Sequence, residues 1–98
     1  MHPKLTEFPS WISTLPVKDQ GKAKVKFMLR YAAVLATPEA SIPALSLRMG
    51  FHKNTLTALL CQPALDGRLS QRVIRGIESL IGVGTIPREM MDPTTYDV

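Results

Sequence analysis

The chain has 98 residues, 45% of them apolar and 6% aromatic, enough for one core of aliphatic side chains and little beyond a single domain. Its formal charge of +4 is unevenly spread: residues 1–53 carry eight Lys or Arg against three Asp or Glu, residues 54–98 four against five. With one cysteine there is no intrachain disulfide, and no apolar run approaches the ~18 residues of a membrane span. The expectation is a soluble cytoplasmic protein whose N-terminal half attracts an anionic partner, nucleic acid before membrane.

Residues 1–16, MHPKLTEFPSWISTLP, are broken by three prolines and read as an arm. Within it Phe8, Trp11, Ile12 and Leu15 share one amphipathic turn, expected to dock on the rest of the molecule. The division expected is an arm over 1–20, a main domain over 21–93 and a tail over 94–98.

A long helix is expected to start between Val17 and Lys22 and to end near Ala36. Its core stripe is Val25, Met28, Leu29, Ala32, Leu35 and Ala36, at helical spacing. Lys22, Lys26 and Arg30 make a second row, joined by Lys24 near its start, and Phe27, Tyr31 and Val34 a third. The third row is more apolar surface than a two-layer packing needs; either the arm covers it or a second subunit does.

Thr37-Pro38-Glu39-Ala40 is a connector, and Ser41 is a suitable N-cap for a helix opening on Ile42-Pro43. Ala44, Leu45 and Met49 lie on one face of that helix. Gly50 sits where the chain must turn, in a conformation that costs glycine least. Phe51, Leu56, Leu59 and Leu60 then recur at buried-face spacing, and small Ser46 lets the two segments cross closely. Lys53, Asn54 and Thr57 are left outside at the start of the second segment. Gln62 to Arg68 is a loop; Ser70 caps a helix to about Ile81, Gly82-Val83-Gly84 ends it, and Pro87–Met91 adds a last turn closed by Pro93. Arg72 and Arg75 are expected on the surface, with Arg75 in a weak pair with Glu78.

The run Arg48-Met49-Gly50-Phe51-His52-Lys53-Asn54-Thr55-Leu56-Thr57-Ala58-Leu59-Leu60 resembles the lambda-repressor/Cro type of helix-turn-helix. Ser46 stands where that family usually has alanine, Gly50 is the turn glycine, and Leu45, Met49, Phe51, Leu56 and Leu59 match the buried positions. Val73, Ile74, Ile77, Leu80 and Ile81 resemble the family's next core helix. Gly84 to Pro93 is similar to the closing segment of Cro-type phage and prophage regulators. The likeness covers roughly residues 22 to 93.

What the resemblance implies is an all-α, compact lambda-repressor-like bundle of about five helices, with room for a short N-terminal extra and the helix-turn-helix at about 42–61. The expected function is sequence-specific DNA binding by a Cro-like repressor acting as a homodimer on a double-stranded operator. The Phe27/Tyr31 row or the C-terminal segment would lie at the dimer interface. A recognition helix at about 53–60 would enter the major groove, where Lys53 suits guanine O6/N7, Asn54 adenine, and Thr57 or Ala58 a thymine methyl. Phosphate contacts are expected from Ser41, Arg48, His52, Thr55, Lys22, Lys26 and Arg68. Each of these readings has a plainer rival: the polar face or the lysine row is ordinary solvated surface, His52 only caps the turn, and Thr55 only packs.

No cofactor, metal or small-molecule ligand is expected, and no catalysis. His2 and His52 lack partners at ligand spacing, and Gly82-Val83-Gly84-Thr85 lacks the Lys-Ser/Thr ending of a phosphate loop. Cys61 reads as a bystander thiol. The competing function is a protein-binding module on the same fold (an antirepressor, an antitoxin or an inhibitor of a host protein). It is favoured by the extra apolar row and the unexplained arm.

Overall fold

The computed structural model describes residues 3–62 and 67–92. Among them the chain is all-helical: α1 (Ser10–Ser13), α2 (Val17–Ala36), α3 (Ile42–Arg48), α4 (Thr55–Leu60), α5 (Gln71–Ile81) and α6 (Arg88–Met91). The middle of the expected loop, the closing Pro93, the tail 94–98 and His2 lie outside the described residues.

Helix α2 is the axis on which the others pack. Val25, Met28, Leu29, Ala32 and Ala33 are fully buried along it. The stripe is therefore tighter than its periodicity implied: Leu35 and Ala36 are only half-buried, and Ala33 replaces them. The alanines keep the helix surface low, so α3 and α5 approach closely and bring Leu45, Ile74 and Ile77 onto it. Leu56 from α4, Leu69 and Ile86 from the connecting segments and Met91 from α6 join them in the core. Val25, Leu45, Leu56 and Met28 are fully sequestered, and burying each such side chain is worth about 1.5–3 kcal/mol.

Side chains end the helices where the backbone runs out of partners. Ser41 Oγ accepts the Ala44 N–H at 3.2 Å and Ser70 Oγ the Val73 N–H at 3.3 Å, as expected of N-caps. Thr37 and Thr85, both buried, donate their hydroxyls to the carbonyls of Ala33 and Ile81. Helix α5 stops at Gly82, whose φ of 95° no β-carbon tolerates comfortably.

The N-terminal segment docks on the rest of the molecule. Leu5 is a core residue, its N–H bonded to the Thr85 carbonyl at 2.8 Å, and the Tyr31 hydroxyl donates to the Pro3 carbonyl at 2.5 Å. Phe8 meets the Phe27 ring edge-on at 6.2 Å, and Lys24 Nζ lies 5.5 Å from the Phe8 ring centre. Ile12 is buried, as an amphipathic turn requires, but Trp11 is 53% exposed, so the docking expected of that tryptophan is overturned. Trp11 and Ile12 are neighbours in α1, about 100° apart around its axis, and Ile12 takes the inward position.

The expected Arg75–Glu78 pair is also replaced. Glu78 takes Arg88 in a two-pronged pair at 2.8 and 2.9 Å, tying α6 to α5. Arg72, expected only as surface, lays its guanidinium 4.6 Å from the centre of the Phe51 ring. No helix among the described residues is long and apolar enough to cross a membrane.

Candidate nucleic-acid interface

The local geometry begins at Ser46, which is completely buried between α3 and α4. Its hydroxyl donates to the His52 carbonyl at 2.8 Å and accepts the Leu56 N–H at 3.4 Å. Its own carbonyl takes the Phe51 N–H at 3.0 Å. The residue is thus a tether as well as a spacer. Gly50 turns the chain with φ of 81° in open space, so its need for glycine is one of backbone conformation alone.

His52 Nδ1 accepts the Asn54 N–H at 3.2 Å, and the His52 carbonyl accepts the Thr55 N–H at 3.0 Å. Of the two roles weighed for His52, the turn cap is therefore occupied. With Nδ1 accepting, the proton of the neutral ring sits on Nε2, leaving a donor on an exposed residue. Capping and phosphate contact are compatible in the same side chain.

The expected helix over 53–60 is shorter. Lys53 and Asn54 form the turn that leads into α4, which starts at Thr55. Asn54 occupies the N-cap position with φ −96° and ψ 0° but makes no capping bond; the Thr55 and Leu56 N–H groups go to the His52 carbonyl and the Ser46 hydroxyl instead. Its amide is left facing solvent with both donor and acceptor available. Lys53, Asn54, Thr55, Thr57 and Ala58 are all exposed, while Leu56 between them is fully buried. The apolar side of α4 fixes the orientation of this polar surface.

Beside that surface runs a groove of about 550 Å³ between α2, the start of α3 and the end of α4. Lys22, Lys26 and Arg30 form one wall, and Ser41, Thr57 and Cys61 stand across it. The structure so brings together four residues named from sequence, Lys22, Lys26, Ser41 and Thr57. It adds Arg30, legible in the i, i+4, i+8 row but not assigned to the site. Ser41 Oγ accepts within the chain, and its O–H is free to donate outward. Arg48, at the last turn of α3, and Arg68 are exposed but do not line this groove. Gly67 lies against Gly21 and Lys24, which sets Arg68 near the first turns of α2.

The Glu78 carboxyl is held below its ordinary range by its hydrogen bonds to Arg88, against the opposing effect of partial burial, and by the Arg88 charge. This pair is on α5 and α6, not at the groove. Among the described residues no group of three His, Cys, Asp or Glu side chains is placed to hold a metal ion. Comparison of the chain with protein-family models, curated proteins and solved structures finds no match.

Proposed function

We propose that this protein is a sequence-specific DNA-binding transcriptional regulator of the lambda-repressor/Cro helix-turn-helix kind, of phage or prophage type, working in the cytoplasm. Helices α3 and α4 are the motif. The observation that carries the reading is the set of exposed side chains Lys53, Asn54, Thr57 and Ala58 around the start of α4, with Thr57 reaching a groove walled by Lys22, Lys26 and Arg30. Bases are read by the first set and phosphates held by the second, with Ser41, Arg48, His52, Thr55 and Arg68 as further phosphate donors. The short α4 suits this role, since only its first turn and the preceding residues need reach the groove floor.

Regulation would be steric: a homodimer occupying two half-sites about one helical turn apart excludes polymerase. A second reading, a protein-binding module, is favoured by one observation, an apolar groove between α1 and α2 that the N-terminal segment leaves open.

Two substitutions test the first reading. Asn54→Ala should weaken binding to an operator selected from a random pool by about 1–3 kcal/mol and leave random DNA nearly unchanged. Lys26→Ala should weaken all sequences alike and flatten the log K versus log salt slope by about 0.9 per lost contact. Folded variants that leave every DNA affinity unaltered would overturn the proposal.

A further inference from the structure

The Lys22/Lys26/Arg30 row has two sides. One faces the groove shared with α3 and α4; the other forms the rim of the second groove, of about 800 Å³, between α1 and α2. The floor of this second groove is apolar, made of Trp11, Leu15, Ala23, Phe27, Tyr31 and Val34. Trp11 and Val34 are 53% and 62% exposed, so the apolar floor is open to solvent. Asp19 is its single acidic lining residue.

We infer that this groove receives an acidic amphipathic helix of a partner protein, and that its occupation opposes DNA binding. From Asp19 to Val34 the groove follows α2 for about 22 Å, the length of a helix of about four turns. Cations at i, i+4 and i+8 match a helix carrying carboxylates at the same period on the flank of an apolar stripe. Charge decides against a second copy of this chain as occupant. A second copy would bring to the groove the same lining, three Lys or Arg against the single Asp19, and like charges in apposition are repulsive.

The antagonism follows from sharing. Carboxylates paired with Lys22, Lys26 and Arg30 neutralise the charges that the other groove offers to phosphate. This second step rests on the DNA-binding reading; the docking step does not.

Trp11 supplies the measurement, being the only tryptophan in the chain and part of the groove floor. The probe is a synthetic helical peptide of about 16 residues with a leucine stripe flanked by glutamates at i, i+4 and i+8. A twin with lysine at those positions serves as control. The acidic peptide should shift Trp11 emission to the blue in the absence of DNA, and the lysine twin should not. Lys26→Glu should weaken the acidic peptide by roughly tenfold or more, and Val34→Glu should do the same through the floor. Saturating acidic peptide should lower operator affinity by at least about tenfold and reduce its salt slope.

Equal binding of both peptides, or of neither, would overturn the docking site. A blue shift that grows with protein concentration alone would overturn it in favour of a second copy. Docking that leaves DNA affinity intact would overturn the antagonism. A chain that binds the acidic peptide but no DNA would instead remove the proposed function and leave the docking site standing.

Discussion

Ser46 shows how much a single small side chain carries at a close helix crossing. Its volume permits α3 and α4 to meet, and its hydroxyl satisfies a carbonyl and an N–H at the mouth of α4. The two contributions separate by substitution. Ser46→Ala keeps the fit but strands the His52 carbonyl and Leu56 N–H, and should cost about 1 kcal/mol in urea unfolding. Ser46→Leu should overpack the crossing and cost about 1–3 kcal/mol. An alanine variant as stable as the parent would show that the hydroxyl is idle. His52 also serves twice: its ring accepts the Asn54 N–H and its carbonyl the Thr55 N–H, which fixes the turn into α4.

At the scale of elements, α6 is a single turn and holds its place through few contacts. Met91 anchors it in the core, the Leu69 N–H reaches the Met91 carbonyl at 2.7 Å, and Arg88 clasps Glu78. Because Arg88 is half exposed, solvent screens the pair and limits its worth to about 1 kcal/mol or less. The Glu78 pKa is lowered in the folded chain, so the ionised carboxylate is the form that folding favours. The stability it adds is therefore present above the unfolded-state pKa and is lost as pH falls through the depressed folded one. Chemical denaturation at neutral pH should find Glu78→Gln less stable than the parent, and the gap should close in acid below that folded pKa. A gap that persists or widens in acid would mean the carboxylate is not what Arg88 stabilises.

The whole molecule is one packing unit from Leu5 to Met91. Its radius of gyration of 12.8 Å is close to the ~13 Å of a compact domain this long, as expected of an N-terminal segment that docks. A division after residue 20 would cut α2 within its first turns and remove Leu5 and Ile12 from their buried positions. A fragment starting at residue 21 should accordingly melt well below the intact chain, by circular dichroism, or fail to fold. Leu5→Ala alone should cost about 2–4 kcal/mol. An undiminished melting temperature in the fragment would restore the arm as a separate element.

Periodicity and caps were readable without coordinates wherever one residue type has one physical use. The end of α2 at Ala36 and its start within Val17–Lys22, Ser41 and Ser70 as N-caps, and Gly50 at the turn all follow from local backbone chemistry. The buried face of α4 and the exposure of Lys53, Asn54 and Thr57 followed from spacing for the same reason. Long-range partners were not readable. Leu5 reaching Thr85, Arg88 rather than Arg75 on Glu78, Arg72 over Phe51, and the Trp11 ring left in solvent each depend on which surfaces meet after the chain has folded back. The row Lys22, Lys26 and Arg30 was visible as a pattern, but its place as the wall between two grooves exists only once α1 packs on one side of α2 and α3 and α4 on the other. Local sequence determines a residue's backbone state and which face it lies on; packing between distant segments determines what that face meets.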